Sequence, residues 1–240
     1  MPRRLVLVHG FTQTARSWDP LRALLEPAVH TTALDAPGHG DAPLTPTLWD
    51  AAAQLVTTGG TGTYVGYSMG ARLALHVALA HPESVDRLVL LGGSPGIRDE
   101  RERAERRSSD EQLAETVLRD GVPAFLDRWL AAPLFATLPP TASQREDRLR
   151  NTAAGLAGSL RTCGTGVQDD LWPRLEELTM PVLLMAGELD GKFAAIAEEM
   201  ARAIGANATL CLVPQAGHAA HLEQAPAFAR LLLDWLGARQ

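Results

Sequence analysis

Lysine is almost missing from this 240-residue chain: of its 22 basic side chains only Lys192 is one, and the rest are arginines. An excess of positive charge is missing too. The formal net charge is −6, so no general polyanion-binding surface is expected and nucleic acid is not an expected partner. Cysteine is limited to Cys163 and Cys211, far apart and without metal-type spacing. That excludes a disulfide framework and a thiolate zinc site, and it fits free thiols in a reducing cytoplasm. Long apolar runs are absent as well. The amino-terminal run Leu5–Val8 ends at His9, too short for a secretory signal, and no stretch approaches membrane-spanning length. What remains is a chain with 46% hydrophobic residues, enough for a sizeable core in one α/β domain with room for an inserted cap.

Order along the chain comes from alternating patterns. Apolar runs at 5–8, 31–34, 63–67, 87–91, 181–186 and 209–213 read as strands covered on both faces. Helical spacing separates them at 18–25, 48–56, 69–81, 193–204 and 225–236. Such alternation implies βαβ units and a mostly parallel sheet of about six strands flanked by helices. The alternation stops between Ile97 and Leu171, where amphipathic segments at 112–118, 122–130 and 144–161 predict helices and nothing predicts a strand. This stretch reads as an all-helical cap over the carboxyl edge of the sheet, where ligands bind in such folds. The division is then core over 1–93, cap over 94–171 and core again over 172–240.

The chain is organised around Gly66-x-Ser68-x-Gly70, set between a β-branched and aromatic run and the helix former Ala71–Ala80. This spacing makes a tight strand-to-helix turn with serine at its apex and helix-start N–H groups beneath it. A serine hydroxyl needs a base, and the base needs an orienting acid. Among seven histidines, His218 follows the last strand and has Gly217 before it, which lets the loop approach closely. His221 is the rival, with a helix-start histidine making local hydrogen bonds as its bland alternative. His9 and His39 precede the serine and suit structural roles. For the acid, Asp190 and Glu188 both follow the penultimate strand, and Asp190 lies further into the loop. A carboxylate at a strand end is often only a helix cap. The oxyanion hole should use the backbone N–H groups of Met69 and Phe11.

Taken together, His9-Gly10-Phe11, Asp35-x-Pro37-Gly38-His39-Gly40, the serine turn, Gly187-x-x-Asp190 and Gly217-His218 resemble the α/β-hydrolase superfamily over essentially the whole chain. One departure is at the amino end, where the first strand corresponds to what is usually the third. A narrower resemblance rests on the region between the strands: Ser94-Pro95-Gly96-Ile97, Ala104–Asp110, Phe125–Phe135, Leu149-Arg150-Asn151, Gly164–Gln168 and Ala216–His221. These are similar to the 2-succinyl-6-hydroxy-2,4-cyclohexadiene-1-carboxylate synthases of menaquinone biosynthesis. The resemblance implies a lyase that eliminates pyruvate from 2-succinyl-5-enolpyruvyl-6-hydroxy-3-cyclohexene-1-carboxylate without metal or organic cofactor. Carried over residue by residue, it implies the triad Ser68, Asp190 and His218, with Arg72, Arg106, Arg150, Tyr67 and Trp129 holding the substrate.

The substrate class has a physical counterpart in the composition. A small-molecule polycarboxylate with three negative charges suits converging arginines, whose planar forks bind carboxylates in a bidentate manner. Arg72 lies one helical turn beyond Ser68, so both can face one pocket. Arg98, Arg101, Arg103 and Arg107 sit among acids and read as solvated helix-face charges. Taken alone, Trp129 reads as core. A carboxylesterase or C–C bond hydrolase with Ser68 as nucleophile is the alternative chemistry, and a non-catalytic binding protein on the same scaffold is a further one.

Overall fold

The computed structural model describes residues 4–26 and 28–237. Six parallel strands form one sheet in the order β2-β1-β3-β4-β5-β6. They are β1 Arg4–Val8, β2 His30–Leu34, β3 Gly62–Tyr67, β4 Val85–Leu91, β5 Val182–Gly187 and β6 Ala208–Val213. The helices are α1 Asp19–Leu25, α2 Leu48–Gly59, α3 Met69–Ala80, α4 Glu100–Leu130, α5 Arg145–Arg148, α6 Ala153–Cys163, α7 Gly191–Ile204, α8 Ala220–Glu223 and α9 Ala225–Leu236. No described helix is long and apolar enough to cross a membrane.

Why the central strands read as unbroken apolar runs is visible in the two cores. Successive side chains of a strand point to opposite faces. Val6, Val8, Tyr64, Leu88, Leu90, Val182 and Leu184 pack on one face against α2, α3 and α7. Leu5, Leu7, Val65, Val89, Leu91, Leu183 and Met185 pack on the other against α1 and α9. Both faces are dry, so neither set can be polar.

Between β4 and β5 the described residues contain helices and turns but no strand. Ala114, Val117, Phe125 and Leu126 of α4 pack against Leu156, Ala157 and Leu160 of α6 in a separate small core. Two expectations change here. The amphipathic segments 112–118 and 122–130 are the two legs of α4, bent where Gly121 takes φ 78° and ψ 165° just before Pro123. The element also reaches back through the charged run to Glu100, because the Asp99 carboxylate accepts the Glu102 N–H at 2.8 Å and caps it. Conversely, the single helix expected over 144–161 is two. Thr152 caps α6 by accepting the Gly155 N–H at 3.0 Å, while Asn151 donates to the Thr12 carbonyl at 2.7 Å and accepts from the Gly40 N–H at 2.9 Å. Those bonds pull the backbone out of the helix and tie the segment to the loops after β1 and β2.

Candidate active site

Ser68 stands between β3 and α3 with φ 52° and ψ −109°, a strained conformation for a residue with a Cβ. The turn can be this tight only because of its glycines. A Cβ on Gly66 would lie 2.2 Å from the Gly70 carbonyl oxygen, and one on Gly70 would lie 2.0 Å from that of Val8. The Ser68 N–H donates to the Leu91 carbonyl at 2.8 Å, which anchors the apex to β4.

Three loops at the same sheet edge converge there. His218 Nε2 is 3.1 Å from Ser68 Oγ, and His218 Nδ1 is 2.8 Å from Asp190 Oδ2. With the Nδ1 proton donated to the carboxylate, Nε2 is left as an acceptor for the serine hydroxyl. Asp190 also caps α7, taking the Phe193 N–H at 3.3 Å on its other oxygen. Its two readings, cap and imidazole partner, are therefore compatible. Glu188 lies elsewhere and accepts the Gln215 N–H. The rings of Phe193 (4.5 Å) and Tyr67 (5.4 Å) enclose the His218 imidazole.

His221 has a different setting. Its ring is fully buried between Trp18 (4.6 Å) and Tyr67 (4.3 Å), and the local hydrogen bonds expected of it are absent: neither nitrogen has a partner. Burial pushes its pKa well below the usual value, so it is a neutral packing group. His9 and His39 are neutral for the same reason, lowered to about 4 and about 3 by burial. Each bridges two loops: His9 accepts the Ala36 N–H at 3.0 Å and His39 the Thr12 N–H at 3.1 Å. Together they fix the turn that carries Phe11.

A cavity of about 620 Å³ opens beside Ser68 and His218, with Phe11, Tyr67, Met69, Arg72, Arg106 and Trp129 in its wall. The Met69 N–H opens α3 and so has no carbonyl to meet within the helix. Arg72 is buried, and Nη1 reaches only the Gln168 side-chain oxygen, at 3.4 Å. Burial lowers its pKa to about 10, which still leaves it a cation at neutral pH. Arg106 is partly exposed and pairs with Asp110 at 2.8 Å. The Trp129 Nε1–H is buried without a partner.

Arg150 is not brought to this cavity. Its side chain is 47% exposed and 3.9 Å from Asp147. The arginine in the wall is Arg148, two residues earlier. Residues two apart on a helical turn face nearly opposite ways, so only one of the pair can point inward. Arg148 is 1% exposed and donates to the Ser143 carbonyl (2.8 Å), the Phe11 carbonyl (3.4 Å) and Thr12 Oγ1, while its Nη2 has no partner. Burial brings its pKa down to about 10. Arg98, expected on a solvated face, also reaches the cavity wall, stacked 3.7 Å over Trp172 and paired with Glu199 at 2.8 Å. Nothing in the sequence separates Arg148 or Arg98 from the neighbouring arginines.

A profile of the alpha/beta hydrolase family matches residues 5–231. A Bacillus subtilis (strain 168) protein, provisionally named a 2-succinyl-6-hydroxy-2,4-cyclohexadiene-1-carboxylate synthase, is 38% identical over 97% of this chain and 89% of its own length. The synthase of that name from Enterobacter sp. (strain 638) is 35% identical over 98% of this chain and 92% of its own. Among solved structures, MenH from S. aureus superposes with a TM-score of 0.92 at 32% identity, covering 98% of this chain and 93% of that one. A malate-bound esterase from Thermogutta terrifontis shares the fold at a TM-score of 0.83 and 22% identity, over 98% of this chain and 89% of that one. The chain belongs to the alpha/beta hydrolase family and, within it, to the 2-succinyl-6-hydroxy-2,4-cyclohexadiene-1-carboxylate synthases.

Proposed function

We propose that this protein is a lyase that eliminates pyruvate from 2-succinyl-5-enolpyruvyl-6-hydroxy-3-cyclohexene-1-carboxylate, giving 2-succinyl-6-hydroxy-2,4-cyclohexadiene-1-carboxylate, with Ser68, His218 and Asp190 as its catalytic triad. The observation that carries this reading is the pair Arg72 and Arg148. Both are buried, both line the cavity beside Ser68, and neither has a carboxylate within ion-pair distance among the described residues. An unpaired buried cation costs several kcal/mol, so such groups are kept where a ligand supplies the counter-charge. A tricarboxylate does so, with Arg106 at the cavity wall as a third cation. An apolar ester offers these guanidinium groups nothing.

In the proposed reaction Ser68 acts as a base. Its hydroxyl proton passes to His218 Nε2 as Oγ takes a proton from the substrate ring. The C–H electron pair shifts through the ring double bond, and the C–O bond to the enolpyruvyl group breaks. The departing enolate collects the proton from His218 at carbon and leaves as pyruvate. Asp190 stabilises the transient imidazolium, and the N–H groups of Phe11 and Met69 stabilise negative charge on the reacting carbonyl or carboxylate. Residues 94–171, Trp129 among them, act as the cap that closes the site over Ser68 and Tyr67.

The test is pyruvate release from the enolpyruvyl substrate, measured beside a panel of simple esters. Turnover of the former with little of the latter is expected. Ester turnover exceeding pyruvate release, with acylation of Ser68, would replace the lyase by a hydrolase.

A further inference from the structure

The loop that presents His218 is gripped from behind by two carboxylates outside the cavity wall. Glu223, at the end of α8, accepts the Gly217 N–H on Oε2 at 2.7 Å and the Ala219 N–H on Oε1 at 3.0 Å. These are the peptide N–H groups on either side of His218. Glu188, on the loop that bears Asp190, accepts the Gln215 N–H at 3.0 Å, and the Leu189 N–H donates to the Ala216 carbonyl at 2.8 Å. Three alternate amides of one short loop thus end on carboxylate oxygens. Gln215 is held at φ 54°, a left-handed conformation that a residue with a side chain keeps only when its surroundings impose it.

We propose that Glu223 is a positioning residue for this reaction, with Glu188 as its partner on the acid's loop. The claim rests on the triad reading above. Hydrogen bonds to an ionised acceptor are shorter and about twice as strong as neutral ones. A bidentate clamp on the two flanking amides fixes the His218 Cα in all but rotation, leaving the imidazole aimed at Ser68 on one side and Asp190 on the other. Reaction geometry tolerates errors of only about 0.5 Å. A neutral amide cannot substitute for Glu223, because its NH₂ group would oppose one of the peptide N–H groups and leave it unpaired. Glu223 and Glu188 lie outside the cavity wall, so their effect should fall on kcat alone.

The experiment compares Glu223→Gln, Glu188→Gln, Ser68→Ala and the Ser68→Ala/Glu223→Gln double variant in the pyruvate-release assay, using excess enzyme for the residual rates. Glu223→Gln is expected to lower kcat ten- to a hundredfold with KM within twofold, and Glu188→Gln to lower kcat about threefold. In the Ser68→Ala background, Glu223→Gln should change the residual rate less than twofold, because groups that act as a unit are not additive. The clamp is refuted by parental kcat in Glu223→Gln, by a change confined to KM, or by an equal fractional loss in both backgrounds. If Glu223→Gln does not fold, Glu223→Asp and the exposed-site variant Glu188→Gln decide the matter by the same kcat and KM criteria. Near-normal turnover of Ser68→Ala would instead sink the triad reading itself, whatever Glu223 does.

Discussion

Arg72 and Arg148 show what a single side chain costs and why it is kept. Desolvation depresses both guanidinium pKa values further than Asp110 and Asp147 raise them from a distance, and neither group has a described carboxylate within ion-pair distance. An apolar group of similar length spares the fold the desolvation of such a charge wherever it leaves no buried hydrogen-bond partner stranded. Arg72→Met is therefore expected to hold or raise Tm, whereas Arg148→Met strands the Ser143 and Phe11 carbonyls and Thr12 Oγ1 and is expected to lower it. Both should lower kcat/KM for the tricarboxylate at least a hundredfold, read from melting curves and steady-state kinetics on the same samples. Arg150→Ala, at a side chain outside the cavity wall, should leave kcat/KM within twofold. This pair of arginines also marks where sequence reasoning stops. Arg148 and Arg150 flank Leu149 in a charged segment, and no period or motif tells which of them turns inward.

Individual elements were legible to different degrees, for physical reasons. Strands β1, β3, β4 and β5 stood out because burial on both faces leaves them few polar positions, the edge strands β2 and β6 being partly exposed, and α9 because one wide apolar stripe faces α1. The stretch between β4 and β5 was harder. Its helices bury narrow stripes against one another, and their ends are set by single side chains rather than by composition. Thr152 is one such side chain. Removing its cap in Thr152→Ala should cost about 1 kcal/mol, a fall in Tm of roughly 2–4 °C by calorimetry. Gly121 acts within α4 by lacking a side chain, since φ 78° with ψ 165° belongs to a region essentially reserved for glycine. Gly121→Ala is expected to cost on the order of 1–3 kcal/mol by denaturant titration, and a cost near zero would mean that the bend in α4 is set by Pro123 alone. The serine turn was legible at both levels, because a Cβ at Gly66 or Gly70 would come within 2.2 or 2.0 Å of a backbone oxygen, so no other residue fits.

At the scale of the whole molecule, the buried histidines govern its response to acid. His9, His39 and His76 have folded-state pKa values of about 4, 3 and 4, all lowered chiefly by burial. Above pH 6.5 they are neutral whether the chain is folded or not. As pH falls from 6.5 towards 4, the unfolded chain binds protons that the folded chain refuses, so stability is lost across that window. At pH 5 the loss is on the order of 2 kcal/mol per histidine. Denaturant unfolding between pH 7.5 and 4.5 should show this decline, and His76→Gln should flatten it. The same view of the molecule bears on its synthesis. Ser68 and the His218 ring 3.1 Å from its hydroxyl are 150 residues apart in sequence. A ribosome therefore delivers the strained serine turn first, the acid much later and the imidazole last of all. On the proposed triad, a polypeptide cut short before the sixth strand carries an inert hydroxyl, and turnover waits for the loop that bears His218.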